Sequence, residues 1–539
     1  MTVTVDRRLS APRSPRLTSP WMRGVAAVAA GALPALAFPA PSLWWLAYVA
    51  LVPWLLLARS AGTARRAALD GWLGGAGFMI ALHHWLWSSL HVFIVPLALF
   101  LGALWAPWGW LVRRLLGGAP GRDPGGRQVA AALVLVPCGW LMAELARSWQ
   151  YLGGPWGLLG ASQWQFTPAL RLVSVGGVWL VSLLVVVVNT AVAVLIALPR
   201  ARNPACAALA VVGLGTSAVW LWAPVPKRTG TVRIAVVQPG LIVGPQARFD
   251  REERLTRQLA GQGADLVVWG ESSVSFDLTS RPDIARRLAA LSSEVGADVL
   301  VNVDARRADG RGISKTSVLI GPDGPVGASY DKMRLVPFGE YIPARSLLGW
   351  ATSVGKAAGE DRRRGDHQVI MSTGTLRLGP LVCFESAFPD MSRRLADGGA
   401  QLLVAQSSTS TFQHSWAPAQ HASLAALRSA ETWRPMVHAT LTGITAVYDA
   451  QGRPVGSRLG TSRSTAAVYE VPLAGGHSPY DRYGDWAWHL AVILLAAGAV
   501  YEAFTRTRRV QQPSGPARRP VPRTRSHRPC PARWPARGR

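Results

Sequence analysis

Cysteine and charged residues are both scarce in this 539-residue chain. Only four cysteines occur, and no two of them have the CxxC spacing of a zinc site or a redox motif. Charged residues make up 16% of the chain, against about 25% in ordinary soluble domains. The sequence therefore predicts neither a disulfide framework nor a metal centre. It also gives no sign of a cofactor, and its low charge argues against an ordinary soluble protein.

Acidic residues are the scarcer of the two charged classes. The chain has 30 Asp and Glu against 57 Lys and Arg, a formal net charge of +27. A basic balance raises nucleic acid as a partner, but the basic residues are not spread over one folded face. They lie in the N-terminal arm, in short loops between apolar runs, and in the tail 506–539. This distribution favours contact with anionic membrane lipids, and we expect no nucleic-acid partner.

Apolar residues are abundant, at 49% of the chain, with 24 tryptophans and a mean hydropathy of +0.19. They form long runs, most of them near the roughly 20 residues that a helix needs to cross a bilayer. The runs cover about 24–40, 43–58, 69–89, 91–112, 128–146, 170–198, 205–224 and 485–505. We therefore predict a multi-pass α-helical membrane bundle of about eight spans. About seven of them lie in residues 24–224, and one C-terminal helix covers 485–505.

Basic clusters occur in every second loop between these runs. Cytoplasmic loops of membrane proteins are enriched in Lys and Arg, so this alternation predicts the orientation. It places the basic arm 1–23 and the tail 506–539 in the cytoplasm, and the region 228–474 outside the cell membrane. The tail is rich in Arg and Pro and has little apolar content, so we expect it to be disordered.

The region 228–474 has a different composition from the apolar runs that flank it. Short β-branched runs such as VRIAVVQPG and ADLVVWGES alternate with helical patterns such as PDIARRLAALSSEVG. The segment 317–331 predicts a hairpin, because Pro-Asp-Gly suits its turn. This alternation is typical of an α/β domain with helices packed on a sheet.

Three chemically complementary side chains follow predicted strands in this domain. They are Glu271 after LVVWG, Lys332 after the hairpin, and Cys383 after GPLV. A carboxylate can remove the proton of a thiol, and a lysine can stabilise both a thiolate and an oxyanion. Each residue also has a structural interpretation: a core cysteine, a helix-capping glutamate and a solvated turn lysine. The residues alone leave both interpretations open.

The motifs around these residues resemble two related families. Glu271, Lys332 and Cys383, in this order, are similar to the Glu-Lys-Cys triad of the nitrilase (carbon–nitrogen hydrolase) superfamily, whose fold is an αββα sandwich. YDKMRLVPFGEYIP, VCFES, GGPWGLLGASQ, QHASLAALRSAE and TGITAVYDAQGRPV, set between membrane spans, resemble the bacterial apolipoprotein N-acyltransferases. The resemblance implies a thioester on Cys383, a phospholipid acyl donor and a diacylated apolipoprotein acceptor.

The resemblance also implies supporting roles for further residues. Glu340 matches an acid that orients the lysine, and Phe384 and Glu385 match positions that shape the pocket. We interpret Leu347, Leu348 and Trp350 as a lid that dips into the lipid headgroups, since Trp is favoured there. Packing of this segment on the domain is the alternative.

The sequence also departs from the family pattern in two places. The departing residues are Ser407, Ser408 and Phe412 after the strand LLVAQ, and Phe249 where the family carries Trp in a mobile loop. We expect these differences to affect specificity for lipid and peptide rather than the thiol chemistry.

Two other functions remain open at this point. A membrane-anchored amidase of the same superfamily would resolve the thioester with water. A weakly active paralogue would instead bind lipoproteins or a glycosyltransferase. A transporter is disfavoured, because charged residues are few in the middle of the spans. The bundle of spans favours lipid chemistry, since an amidase needs one anchor at most.

Overall fold

A computed structural model describes residues 19–117, 123–310, 312–349, 359–374, 376–511 and 538. The chain divides into two compact units, residues 1–495 and 496–539. Most of the predicted arm 1–23 and tail 506–539 lies outside the described residues. The last helix continues to Gln511, and the prediction of a disordered tail stays a prediction. Arginine is a good helix former, which suits continuation of the helix.

The first part of the chain is helical, with short 3₁₀ turns between several of the helices. Its α-helices are α1 (Pro20–Ala32), α2 (Val52–Arg59), α3 (Ala64–His83), α4 (Trp87–Leu90), α5 (Ile94–Gly102), α6 (Ala106–Leu116), α7 (Gly126–Arg147), α8 (Thr167–Ala197) and α9 (Arg202–Trp222).

Five helical stretches among the described residues are long and apolar enough to cross a membrane. They are Ala64–Leu116, Gly126–Arg147, Thr167–Ala197, Pro199–Trp222 and Trp486–Thr505. The first two predicted runs, 24–40 and 43–58, do not form helices of this length. In each of them a proline lies in the first turn of a new helical segment, Pro34 in the 3₁₀ turn Leu33–Ala37 and Pro53 in helix α2. Proline suits this position because it cannot donate a hydrogen bond to a preceding turn. The count of eight spans stays a prediction.

Glycines let the membrane helices approach closely. A Cβ on Gly31 of α1 would lie 1.9 Å from the carbonyl oxygen of Gly74 in α3. A Cβ on Gly71 would lie 2.4 Å from the carbonyl oxygen of Trp105. Small residues at such crossings are typical of membrane helix packing, in which contact area replaces the hydrophobic effect.

The second part of the chain contains two β-sheets. The strands are β1 (Lys227–Gln238), β2 (Leu266–Trp269), β3 (Asp298–Arg306), β4 (Ile313–Gly321), β5 (Gly324–Pro325), β6 (Tyr330–Asp331), β7 (Met371–Thr373), β8 (Leu376–Val382), β9 (Leu402–Ser407), β10 (Met436–Thr440), β11 (Ala446–Tyr448) and β12 (Thr465–Gly475). One sheet has the order β12-β1-β2-β3-β4-β5, with β6 paired to β4, and the other has the order β11-β10-β9-β8-β7. The hairpin predicted at 317–331 is confirmed by the antiparallel pairing of β4 with β5 and β6.

Helices cover the outer face of each sheet. The helices of this part are α10 (Pro245–Arg257), α11 (Pro282–Val295), α12 (Arg345–Leu348), α13 (Pro389–Asp397), α14 (Ala417–Thr432), α15 (Pro479–Tyr483) and α16 (Trp486–Gln511). Along β1, Ile234 belongs to the core between the sheets and Ala235 to the core under α10 and α11. This alternation buries both faces of the strand. The predicted αββα sandwich is confirmed.

Helix α14 joins the sandwich to the membrane helices. The Gln420 amide oxygen accepts hydrogen bonds from the indoles of Trp85 (3.1 Å) and Trp156 (2.9 Å). At its other end, Glu431 Oε1 accepts a hydrogen bond of 2.9 Å from the backbone N–H of Val178. That amide is free because α8 is kinked just before it, at the non-helical Gly177. The sandwich is therefore packed directly on the apolar helices.

Candidate active site

The structure brings the carboxylate of Glu271, the ammonium of Lys332 and the thiol of Cys383 together. Glu271 follows β2 in one sheet, and Cys383 follows β8 in the other. The Lys332 Nζ donates to Glu271 Oε1 at 3.1 Å. Glu271 and Lys332 are 3% and 0% exposed. The Cys383 thiol forms a hydrogen bond with the carboxylate of Glu271 and so lowers its pKa. Residues far apart in sequence thus share one buried site between the sheets.

Cys383 lies at a sharp change of direction in the chain. Strand β8 ends at Val382, and a 3₁₀ turn begins at Cys383. The φ angle of Cys383 is +53°, in the left-handed region that non-glycine residues rarely occupy, and Ser272, next to the acid, has φ +57°. Such backbone strain is concentrated at functional sites, where the surrounding structure enforces it. This geometry favours a functional cysteine over an ordinary core cysteine.

Glu340 is a second carboxylate that holds the lysine. Its Oε1 accepts a hydrogen bond of 2.7 Å from Lys332 Nζ, and its Oε2 accepts one of 2.8 Å from the Val336 N–H. The ammonium of Lys332 therefore lies between two carboxylates, and its orientation is fixed. This position suits the orienting role expected for Glu340.

Glu385 ties the cysteine turn to the lysine loop. Its Oε2 accepts from the N–H of Val382 at 2.8 Å. Its Oε1 accepts from the Tyr330 hydroxyl at 2.8 Å and from the N–H groups of Met333 at 2.7 Å and Arg334 at 3.0 Å. One buried carboxylate thus fixes the residue before Cys383 and the two residues after Lys332.

Charge and burial set the protonation states of the site. Burial works to raise the pKa of Glu271, but the charges of Lys315 and Lys332 outweigh it and hold this pKa below its usual range. Burial, followed by the charge of Glu271, raises the pKa of Cys383 to about 12. At rest the thiol therefore keeps its proton and Glu271 is the anion. Attack requires the proton to move to Glu271 as the new bond to sulfur forms.

Lys315 and His421 belong to the site but were not predicted from the sequence. Lys315 on β4 donates to Glu271 Oε1 at 2.8 Å. The His421 Nε2 lies 3.0 Å from the carbonyl oxygen of Cys383 and 3.0 Å from Ser386 Oγ. Burial lowers the pKa of His421 to about 4, so this imidazole is neutral. Because it contacts the backbone of Cys383 and not the sulfur, it supports the strained turn.

Phe384 lies where the sandwich meets the segment GGPWGLLGASQ. Its ring packs edge-on to Phe388 with 5.0 Å between centroids. A Cβ on Gly154 would lie 2.5 Å from Phe388 Cζ and 2.8 Å from Phe384 Cζ. Glycine is thus required there for close approach.

The predicted lid is described only in part. Leu348 ends α12 and is half-buried. The side chain of Leu347 and all of Trp350 lie outside the described residues. The lid therefore stays a prediction.

The departures from the family pattern lie at different distances from the thiol. The Ser408 carbonyl oxygen is 4.0 Å from Cys383 Sγ, and Ser407 is buried in β9. The Phe412 ring packs edge-on against Trp85 of the membrane part at 4.8 Å. Phe249 is fully buried in α10 against Trp269. Its ring belongs to the core under the first sheet, and the expected effect of these departures on specificity stays a prediction.

A cavity of about 440 Å³ lies beside Phe388, where the sandwich meets the segment GGPWGLLGASQ. Its lining combines aromatic and charged groups, among them Trp149, Trp179, Trp488, Arg334 and Asp390. Tryptophans are favoured at the level of lipid headgroups. The cavity is thus suited to an amphipathic molecule rather than a purely apolar one.

The buried constellation has the parts that acyl transfer needs. A carboxylate can accept the thiol proton, a strained cysteine can attack, and a buried lysine can stabilise an oxyanion. The apolar helices of the first part of the chain pack on the same sandwich through α14.

Comparison with known proteins gives matches over both parts of the chain. A family model for the apolipoprotein N-acyltransferase N-terminal domain matches residues 30–191, and one for carbon-nitrogen hydrolase matches residues 233–476. The apolipoprotein N-acyltransferase of Geobacter metallireducens is 32% identical over 511 residues, which are 89% of this chain and 95% of the relative. That of Pseudomonas aeruginosa strain UCBPP-PA14 is 30% identical over 506 residues, 88% of this chain and 96% of the relative. The crystal structure of an amidase from Nesterenkonia sp. is 21% identical, with 49% of this chain and 98% of the amidase covered and a TM-score of 0.35.

Proposed function

The chain belongs to the apolipoprotein N-acyltransferase family and is an acyltransferase, and we propose that it moves a fatty acyl chain from a membrane phospholipid to an apolipoprotein. The acceptor is the amino group of an S-diacylglyceryl cysteine at the N-terminus of the apolipoprotein. The observation that carries this proposal is the buried Glu271–Lys332–Cys383 constellation, packed on apolar helices through α14.

In the first step, Glu271 takes the proton of the Cys383 thiol as the sulfur attacks the carbonyl carbon of the phospholipid ester. Lys332 stabilises the resulting oxyanion, because its ammonium is buried and already oriented by Glu340. When the tetrahedral intermediate collapses, the lysophospholipid oxygen leaves and takes the proton from Glu271. The acyl chain is then held as a thioester on Cys383.

In the second step, the amine of the apolipoprotein attacks the thioester carbonyl. Glu271 takes one proton from the nitrogen, and Lys332 again stabilises the oxyanion. Cys383 leaves as the thiolate and recovers its proton from Glu271, so the enzyme returns to its first state. Such a two-step exchange gives ping-pong kinetics.

We also propose how the chain lies in the cell. Residues 24–224 and 485–505 form about eight spans of the cell membrane, and residues 228–474 are the catalytic domain on the extracytoplasmic face. The basic arm 1–23 and the tail 506–539 are cytoplasmic and contact anionic lipids. The alternating basic loops support this orientation. We propose that Leu347, Leu348 and Trp350 act as the lid.

Acyl-enzyme trapping tests this function. The protein in micelles is given a phospholipid with a labelled acyl chain, and label that neutral hydroxylamine removes is measured on the wild type, Cys383→Ser and Cys206→Ser. Cys206 is an exposed free cysteine on α9 and is the matched control. We expect label on the wild type and Cys206→Ser only, and its discharge by a diacylated lipopeptide. Absence of label on folded wild type, with release of ammonia from simple amides, would support the amidase instead.

A further inference from the structure

We infer that Lys315 is a positioning residue for Glu271, a second cation that keeps the acid and the Cys383 thiol in the protonation state from which acyl transfer starts. This inference deepens the proposed function, because it concerns the same site and rests on Cys383 as the nucleophile. It begins from a lysine in the interior of strand β4, on the same face as Ser317 and Leu319, which face the second sheet.

Lys315 is only 12% exposed and points into the site. Its Nζ donates to Glu271 Oε1 at 2.8 Å, the same oxygen that accepts from Lys332 at 3.1 Å. It also lies 3.2 Å from Ser272 Oγ and 3.3 Å from Glu340 Oε1. Each of the two glutamates thus contacts both lysines.

The ion pairs of this cluster join three carboxylates to three cations, and the buried carboxyl group of Glu385, whose pKa Lys332 lowers, lies near them. The carboxylates are Glu271, Glu340 and Asp304, and the cations are Lys315, Lys332 and Arg362. The neutral groups that also act on Glu271 or the thiol are Cys383 and His421. Removing the charge of Lys315 would leave one excess negative charge in a buried site, where an unpaired charge is costly.

The direction of the consequence follows from the environment of Glu271. After burial, which raises its pKa, the charge of Lys315 has the largest influence and lowers it. Lys315 also lowers the pKa of Cys383, although burial keeps that pKa high. Loss of an opposite charge at this distance raises the pKa of a carboxyl group by about one to three units. Glu271 would then take up a proton under mildly acidic conditions and would no longer accept one from the thiol.

The test is the pH dependence of Cys383 alkylation by iodoacetamide, followed by mass spectrometry of the Cys383 peptide. The wild type, Lys315→Met and Lys315→Arg are compared between about pH 4 and about pH 7. Methionine keeps the length of the side chain without its charge, and arginine keeps the charge. Arg306→Met, which removes a cation from an exposed pair with Glu360, is the matched control.

We expect the acid limb of the Lys315→Met profile to lie about one to three pH units above that of the wild type. The rate of Cys383 alkylation in Lys315→Met should fall severalfold between neutral and acidic pH. In the wild type, Lys315→Arg and Arg306→Met this rate should stay the same over that range. A Lys315→Met rate lowered by the same factor at every pH would overturn the inference, because a loosened structure has no such pH signature. A Lys315→Arg profile that follows Lys315→Met would overturn it as well.

Alkylation needs no lipid, so this result is separate from the acyl-trapping result. If the pH profiles of the wild type and Lys315→Met differ as expected, but the wild type takes no label from phospholipid, the proposed acyl donor is refuted and the role of Lys315 stands. Wild type that takes label while the two pH profiles coincide would refute the role of Lys315 alone.

Discussion

Replacement of Glu385 by alanine should destabilise the site more than any single contact suggests. The carboxylate of Glu385 accepts hydrogen bonds from Tyr330, Val382, Met333 and Arg334. Tyr330 and Val382 are fully buried, so no water can replace the lost acceptor for these two donors. Each such unsatisfied group costs about 1–3 kcal/mol, so we expect a loss of about 2–6 kcal/mol in the free energy of unfolding.

Glutamine at the same position separates this reasoning from a simple loss of packing. Its amide oxygen can still accept from Tyr330, but its NH₂ group would face the N–H of Val382. The Glu385→Gln variant should therefore lose about 1–3 kcal/mol, less than alanine. Both variants should lose acyl labelling of Cys383, because the cysteine turn and the lysine loop are no longer fixed together.

Thermal unfolding in micelles, followed by tryptophan fluorescence, measures these differences. Glu360→Ala is the control, because Glu360 is 46% exposed in its ion pair with Arg306 and such pairs contribute about 0–1 kcal/mol. We expect the unfolding temperature to be highest for the wild type and to fall in the order Glu360→Ala, Glu385→Gln and Glu385→Ala. If Glu385→Ala unfolds at the same temperature as the wild type and Cys383 still takes the acyl label, the bridging role of this carboxylate is refuted.

Two further predictions concern the contact of the sandwich with the membrane helices. Gly154→Ala should lower the unfolding temperature more than Gly153→Ala. Both glycines have positive φ, so both variants suffer the same kind of backbone strain. A Cβ on Gly154 would also lie 2.5 Å from a phenylalanine ring, whereas one on Gly153 would meet nothing within 4 Å. Equal effects would show that backbone strain alone matters. Burial raises the pKa of Glu431 to about 7 from the ordinary 4.5, so the folded state binds the proton more tightly and wild-type stability should fall as pH rises through this window. Glu431→Gln should flatten that fall, and an unchanged slope would contradict the assignment.

The sequence was informative about the site because three of its residues follow strands. Glu271, Lys332 and Cys383 each end a recognisable apolar run or hairpin, and strand ends are where α/β folds place chemistry. Lys315 carries no such signal. It lies inside a strand that packs on both faces, and only the packing of the second sheet reveals that it faces Glu271. His421 is hidden in the same way, inside a helix.

The membrane part was predicted less completely than the sandwich. Hydropathy detects apolar runs, but it does not show where a run is broken. Pro34 and Pro53 divide the first two runs into short helical pieces, and Gly177 kinks α8 within one long run. The backbone N–H of Val178, which the kink exposes, bonds to Glu431. No local sequence pattern could indicate this partner, because it is 253 residues away in sequence.

The bond between Val178 and Glu431 sets an order of events during synthesis. Helix α8 is made first, with a kink that leaves the N–H of Val178 without a partner inside its own helix. Its acceptor is 253 residues further along the chain, which at about 5–20 residues per second takes roughly 13–50 s to produce. The contact between the kink of α8 and helix α14 therefore closes only after α14 has been made.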